Sequence, residues 1–153
     1  MTAGWQSLVG TVVQGYRVAS GLSDTTPYPQ GTLAMQLPHF LARGFDLQPY
    51  FLGTLNVAIA PLQFRLVEPE VTLEQVAWTD LHGPESFSFA RCRLGWGNAT
   101  HSGWLYYPHP ETKPMHRQRS DVLELLMPKL AGIGYGDRVR LAIRPTEIHL
   151  IER

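Results

Sequence analysis

The residues best suited to chemistry stand together in one short segment, Gly53-Thr54-Leu55-Asn56. In an extended strand, residues i and i+2 project from one face, so the Thr54 hydroxyl and the Asn56 carboxamide oxygen lie side by side. Mg²⁺ takes oxygen ligands and keeps water or substrate phosphates in its shell, so the pair predicts a magnesium site shared with a nucleotide. Gly53 would let the phosphates approach the backbone. The spacing also fits a structural alternative, in which Asn56 bonds a neighbouring loop and Thr54 is an ordinary strand residue.

Many short segments, separated by 12 prolines and 14 glycines, surround this pair and predict a mainly β fold. Alternation of apolar and polar residues in several of them is typical of strands with one buried face. In the segment after Gly53, Leu55, Val57 and Ile59 are expected to form the buried face. The expected strands are 7–15, 32–37, 54–59, 64–67, 86–94, 101–107, 135–143 and 147–153.

One short and one longer helix are expected beside the strands. The short helix, 38–44, begins with a proline and ends at a glycine. The longer helix, 120–130, has Ser120 or Asp121 as its N-cap, acidic residues near its start, and Pro128 to end or kink it. Within that helix, a glutamate lies either on an exposed stripe or turned toward a pocket.

Length and composition limit the class of protein. The 153 residues, of which 44% are hydrophobic, are expected to form one globular domain over 1–153. Thirteen basic and 13 acidic residues give no net charge, which argues against a sequence-independent grip on nucleic acid without excluding a local basic patch. The single cysteine, Cys92, rules out an internal disulfide and a Cys-rich zinc site.

Targeting signals are not evident in the sequence. The first residues do not show a basic region followed by an apolar core, and there is no run of 18 apolar residues. A cytoplasmic protein without a membrane partner is therefore expected. Composition does not indicate an oligomeric state.

Three blocks of the chain resemble the archaeal CTP-dependent riboflavin kinases. The segment GFDLQPYFLGTLNVAI, 44–59, is similar to that family's GF-x-PY-x-GTLN motif. LVGTVVQG, 8–15, resembles its opening strand and glycine, and SDVLELLMPKLAGIGYGDRVRLAI, 120–143, resembles its late helix, the following proline and a closing Gly-Asp-x-Val strand. The blocks keep the family's order and together cover roughly half of the chain.

The resemblance implies a small closed β-barrel with long cradling loops, of the riboflavin-kinase type. It implies Mg²⁺-dependent transfer of the CTP γ-phosphoryl group to the riboflavin 5′-hydroxyl, giving FMN. Thr54 and Asn56 would bind the metal, and Glu124 would contact flavin. Apart from the resemblance, Glu124 is one candidate for the catalytic base that accepts the riboflavin hydroxyl proton. Further flavin contacts would come from Thr112 and His116. Nucleotide contacts would come from Gly15, Arg17, Ala19, Ser20, Gly21, Lys129, Leu130, Ala131 and Gly132.

The first loop departs from the family pattern. The family has a compact glycine-rich turn that holds the phosphates, whereas this chain has the longer GYRVASGLSDTTPYPQGT, 15–32. The identity of the phosphate donor is therefore open. Neither a P-loop nor the protein-kinase signature set is present, so a kinase of this sequence must use its own loops. Two other functions remain open, a non-catalytic flavin- or nucleotide-binding module and a protein-interaction domain.

A second group of potential ligands lies in the loop at 108–119. His109, Glu111 and His116 are close in sequence, but their spacing matches neither a helical nor a finger-type metal site. Hydrogen bonding within the loop is the expected role of these histidines.

Overall fold

The computed structural model describes residues 4–13, 32–47, 50, 54–81, 83–109 and 120–152. Within these ranges the chain forms one helix, α1, and nine strands, β1 to β9, so the prediction of a mainly β fold is confirmed. In chain order they are β1 (Gln6–Val13), α1 (Thr32–Ala42), β2 (Leu55–Ala58), β3 (Leu62–Leu66), β4 (Val71–Val76), β5 (Glu85–Trp96), β6 (Ala99–Pro108), β7 (Val122–Leu126), β8 (Arg138–Ile143) and β9 (Ile148–Glu152).

Six antiparallel strands close into a ring. The large sheet runs β4-β5-β6-β7-β2-β1-β8, and a further pairing between β8 and β5 joins its ends into a ring of β5, β6, β7, β2, β1 and β8. β4 extends β5 outside this ring, and β3 pairs separately with β9. Each strand of the ring therefore has hydrogen-bonded neighbours on both sides, which leaves no free edge within it.

Alternating apolar side chains fill the inside of the ring. In β5, Ala90, Cys92 and Leu94 point inward and are at most 1% exposed, while Arg91 and Arg93 between them point outward. The ring core continues into residues of the other strands, namely Leu8, Val12, Val57, Ile59, Phe64, Leu105, Leu123, Leu125, Met127, Val139, Leu141, Ile143 and Ile148.

A second apolar cluster lies outside the ring, beneath α1. Leu33 and Phe40 of the helix are at most 1% exposed, and Phe40 meets Phe87 edge to face with ring centroids 5.0 Å apart. These helix residues, with Leu37, recur at the spacing of one helical face. The predicted strand 32–37 is therefore wrong, because this segment buries one helical stripe instead of alternate residues. The start predicted for the short helix 38–44 is wrong, because α1 begins at Thr32 and contains Pro38 in its interior, whereas Gly44, with φ of 86°, follows its last turn as expected.

The longer helix predicted at 120–130 is wrong, because Val122–Leu126 is strand β7. β7 lies between β6 and β2, where Leu123 and Leu125 fill the ring core on either side of Glu124. Five residues are too few to distinguish a helical period from a strand period, and the two neighbouring strands supply the backbone hydrogen bonds. The described residues therefore contain one helix where the sequence predicted two.

Strand β4 was not predicted. Val71 and Leu73 alternate as expected of a strand, but the register with β5 shifts between Leu73 and Val76. Gln75, in that irregular stretch, has φ of 54°, a left-handed conformation that is uncommon for a residue other than glycine. This bulge breaks the alternation and conceals the strand in the sequence.

β5 changes its partner midway, and a buried carboxylate joins the strands there. Its pairing with β4 reaches Phe89, and its pairing with β8 starts at Cys92. Glu147 Oε1 accepts hydrogen bonds from the main-chain N–H of Glu70 at 3.0 Å and of Arg91 at 3.3 Å. Burial, reinforced by the charge of Glu147, raises the pKa of the Cys92 thiol, and Arg91 opposes that shift. The carboxylate thus satisfies backbone donors where the ladder divides.

Among the described residues, no helix is long and apolar enough to cross a membrane.

The contact between β6 and β7 predicts how two glycines differ. A Cβ on Gly103 would collide with the Leu126 carbonyl oxygen, whereas a Cβ on Gly95 has its nearest neighbours 3.8 Å away on Arg140. We expect Gly103→Ala to lower the free energy of unfolding by about 1–3 kcal/mol, because the backbones must separate. The matched Gly95→Ala should change it by less than about 1 kcal/mol. Urea unfolding of both variants is the measurement, and equal effects would contradict this account of the ring.

Candidate functional site

Thr54 lies immediately before β2, and Asn56 lies within it. Val57 is fully buried and Ile59 is 2% exposed in the ring core, and Leu55 packs against that core. Asn56 is half-buried on the opposite face of the strand. The expected division between a buried apolar face and a polar face is therefore confirmed.

Asn56 lies directly opposite Glu124 in the antiparallel pairing of β2 with β7. Cross-strand partners of this kind have Cβ atoms about 4.5–5.5 Å apart on the same face. Asn56 Nδ2 donates a long hydrogen bond of 3.4 Å to the main-chain oxygen of Thr54. Because the amide nitrogen faces that carbonyl, the carboxamide oxygen is directed elsewhere. The outer face of these strands therefore presents an amide oxygen beside a carboxylate.

The side chain of Glu124 reaches toward the cluster under α1, because its Oε2 is buried from solvent. Tyr106 is its neighbour on β6, since Leu105, the preceding residue, pairs with Leu125. Burial, followed by the charges of Glu85 and Glu124, raises the pKa of Tyr106 well above its usual value. The protonated Tyr106 hydroxyl donates a 2.8 Å hydrogen bond to Oε1 of Gln36, which is 2% exposed. Both sequence alternatives for Glu124 presuppose a helix, whereas this residue lies in strand β7, half-buried and with its Oε2 hidden from solvent.

A cavity of about 210 Å³ opens at the end of the ring where β2 begins and β7 ends. It brings Thr54 next to Lys129 and Leu130, although these residues are distant in sequence. The described residues that line it are Thr54, Leu55, Leu125, Met127, Pro128, Lys129, Leu130 and Ile133. The wall is mostly apolar, with a hydroxyl residue and a lysine, which suits a ligand with an apolar ring and an anionic group.

The segment after β7 is fastened to the ring by one indole. Trp96 Nε1 donates a 3.0 Å hydrogen bond to the main-chain oxygen of Ala131. Gly132 follows with φ of 80°, and both residues are exposed. Asp137 Oδ2 then accepts from the Gly134 N–H at 2.8 Å, which closes the expected Gly-Asp turn before β8. The bend that carries Lys129 to Gly132 is thus held at both ends.

The structure unites part of the predicted site. Thr54, Lys129 and Leu130 share the cavity, and Asn56 and Glu124 are cross-strand neighbours on the outer face. Seven predicted site residues lie outside the described ranges, namely Gly15, Arg17, Ala19, Ser20, Gly21, Thr112 and His116.

Sequence reasoning missed Gln36, Met127 and Ile133. Gln36 was assigned to a strand, yet it is a polar residue within an apolar helical stripe, a pattern that signals a buried hydrogen bond. Met127 and Ile133 flank the predicted nucleotide segment and contribute apolar wall to the cavity. No motif in the sequence distinguishes them from ordinary core residues.

Of the potential ligands His109, Glu111 and His116, only His109 lies in the described ranges. Within the described ranges, no three His, Cys, Asp or Glu residues are grouped so as to hold a metal ion. His109 Nε2 instead forms a 2.6 Å hydrogen bond with Ser88 Oγ, which is 2.8 Å from Thr72 Oγ1. This histidine thus forms a hydrogen bond, but to strand β5 and not within the loop as predicted.

Comparison with known proteins identifies no family for this chain. No protein-family model matches the chain, and no curated protein matches its sequence.

The hydrogen bond between Tyr106 and Gln36 predicts a distinct response to alkaline pH. A raised pKa means that the folded Tyr106 keeps its proton where an unfolded tyrosine loses it, near pH 10. Its contribution to stability is therefore complete below about pH 10 and is lost as the pH rises toward the folded pKa. Tyr106→Phe should cost about 1–3 kcal/mol at neutral pH, because the Gln36 acceptor stays buried.

Urea unfolding from pH 8 to pH 11 measures both effects. Above about pH 10, the wild type should lose stability more steeply than Tyr106→Phe. The loss caused by Cys92 is common to both proteins and cancels in the comparison. Parallel curves would show that Tyr106 is not held protonated by the fold.

Proposed function

We propose that this chain is a riboflavin kinase-like phosphotransferase, which moves the γ-phosphoryl group of a nucleoside triphosphate to the riboflavin 5′-hydroxyl and yields FMN. The reaction would depend on Mg²⁺, and CTP is the donor that the sequence resemblance favours. The architecture that accompanies this proposal is a small closed barrel with cradling loops. The ring of β5, β6, β7, β2, β1 and β8 supports it.

The observation that carries the proposal is the cavity shared by Thr54, Lys129 and Leu130. The resemblance assigns the first residue to the metal and the other two to the nucleotide, from separate blocks of the sequence. If the similarity of these two sequence blocks to the family were due to chance, there would be no reason to expect their residues to line the same cavity. Their meeting supports a binding site built from both blocks.

The oxygen donors present are compatible with Mg²⁺. Asn56 directs its amide nitrogen to a main-chain carbonyl, which leaves the amide oxygen for another partner, and Thr54 precedes it by two residues. Thr54 and Asn56 would hold the ion together with phosphate oxygens. The ion, when bound, would offset the negative charge of the transferring phosphoryl group.

Two charged side chains have roles in the proposed transfer. Lys129 is exposed at the cavity and would pair with phosphate oxygens of the donor. Glu124 lies beside Asn56 and outside the described lining of the cavity. It would accept the proton of the riboflavin hydroxyl as that oxygen bonds to the γ-phosphorus, while the bond from the γ-phosphorus to the β-γ bridging oxygen breaks and the nucleoside diphosphate leaves. The apolar wall, including Leu55 and Met127, would receive a flat ring and exclude water.

A non-catalytic flavin- or nucleotide-binding module is the second candidate. The wall of the cavity favours it, because six of the eight described lining residues are apolar and Lys129 is the only cation among them. Such a wall binds an aromatic ring without any requirement for turnover. This function predicts saturable binding of riboflavin or nucleotide with no FMN formed.

The first test is FMN formation from riboflavin and Mg²⁺ with CTP, ATP, GTP or UTP, followed by chromatography with fluorescence detection. We expect turnover with at least one donor and loss of turnover when EDTA removes the metal. Binding without FMN formation from any donor would favour the second candidate. The absence of both binding and turnover would refute both candidates.

The second test removes the proposed metal ligands. Thr54→Ala with Asn56→Ala should lower FMN formation at least about 100-fold, because several kcal/mol of charge stabilisation is lost. Asn98→Ala with Thr100→Ala is the matched control, since it removes the same two side-chain types at the same spacing from exposed positions. The control should keep its activity. Equal loss in both variants, or no loss in either, would disprove the role of the pair.

A further inference from the structure

Charge is distributed unevenly in this protein despite its zero net charge. The segment 66–90 contains five acidic residues and no lysine or arginine. Five arginines instead belong to β5, to β8 or to the position just after β8, namely Arg91, Arg93, Arg138, Arg140 and Arg144. The acidic segment therefore has a more negative electrostatic potential than the strands that carry the arginines.

Three of these arginines project from one continuous outer face of the ring, which we call the arginine face. The pairing of β8 with β1 places Arg138 beside Thr11 and Arg140 beside Val9. The pairing of β5 with β8 places Arg93 beside Ala142, one row further along. The face consists of the outward residues in these rows: Ser7, Val9, Thr11, Arg93, Gly95, Thr100, Ser102, Arg138, Arg140 and Ala142.

No carboxylate lies among the residues of the arginine face. Arg138 and Arg140 are exposed, and neither they nor Arg93 form an ion pair with any residue in the described ranges. The nearest acid in sequence, Asp137, accepts a hydrogen bond from Gly134 in its own turn. Within the part of the chain that the structure describes, three positive charges thus lie on one sheet face with no ion-pair partner.

Trp5 holds one of these charges in place. The guanidinium carbon of Arg93 lies 4.0 Å from the centroid of the Trp5 ring, and Trp5 itself is half-buried. Stacking on an indole reduces the freedom of the arginine while leaving its N–H donors available. The neighbouring Arg91 and Arg144 differ, because both pair with Glu70, at 3.1 and 3.4 Å.

We propose that the arginine face binds single-stranded nucleic acid through its phosphates. Side chains on one face of a strand repeat about every 6.6 Å, so Arg138 and Arg140 present a linear series of donors to an extended polyanion. Arginine is well suited to phosphate, and the hydroxyls of Ser7 and Ser102 add neutral donors. Gly95, within the face, carries no side chain and lets a chain approach the sheet closely.

The composition of the face favours nucleic acid over an anionic membrane. Interfacial binding to lipid requires apolar side chains that enter the acyl region. Val9, 47% exposed, is the only large apolar side chain exposed on this face. The zero net charge of the chain does not oppose the proposal, because counterion release depends on the charges at the contact.

The experiment is fluorescence anisotropy with labelled oligo-dT and oligo-rU of about 16 nucleotides, which separates DNA from RNA as the source of the phosphates. We expect saturable binding that weakens with salt, with log K falling against log salt by about 0.7 per phosphate contacted. Arg140→Glu should weaken binding at least about 10-fold and reduce that slope. Arg65→Glu, the same charge change at an exposed strand position away from the face, should alter affinity less than about 2-fold.

A milder variant and two competing ligands complete the experiment. Arg140→Gln should also weaken binding and lower the salt slope, with an unchanged circular dichroism spectrum and melting temperature. Three outcomes would overturn the proposal: no saturable binding of either oligonucleotide, equal weakening by Arg65→Glu, or tighter binding to phosphatidylserine vesicles than to both oligonucleotides. Loss of mononucleotide binding in Arg140→Glu would also overturn it, because the arginines would then serve the cavity site.

Discussion

The antiparallel register of β2 against β7 determines where Asn56 and Glu124 of the candidate site lie. Val57, Leu123 and Leu125 enter the ring core, so Asn56 and Glu124 are forced together onto the outer face. A slip of one residue would turn the Glu124 carboxylate into the ring core in place of a leucine, which is strongly unfavourable. Burial of the apolar neighbours of Asn56 and Glu124 therefore determines where these two polar residues lie. No interaction between the polar groups themselves is needed to position them.

Closure of the ring imposes the second constraint. β5 is long enough to pair with β4 in its first half and with β8 in its second half, and Glu147 satisfies backbone donors at the division. β4 pairs with β5 outside the ring and widens the sheet beneath α1. Phe40 and Phe87 belong to the second apolar cluster there. The same division leaves the outer face of β8 without such a cover, so Arg138 and Arg140 are exposed there.

The local sequence pattern predicted the strands in which apolar and polar residues alternate without interruption. It failed where tertiary packing decided between the helical period and the strand period. The faces of β2 and β5 follow directly from their sequences. Residues 120–130 contain leucine, glutamate, methionine and lysine, which favour helices intrinsically, yet pairing on both sides makes 122–126 a strand. Partnerships such as Tyr106 with Gln36, or Trp96 with Ala131, depend on how distant elements pack, and no local pattern encodes them.

A filled interior decides where ligands can bind. Among the residues that the structure describes, apolar side chains from all six strands of the ring pack its interior as a core. The two candidate surfaces lie at an end of the ring and on an outer face. The cavity beside Thr54 and Lys129 occupies one end, where β7 stops at Pro128 and the chain turns away. The arginine face occupies an outer surface built from β1, β8, β5 and β6. Since the two surfaces share no residues, a substitution in one surface can alter ligand binding there without disturbing the other surface.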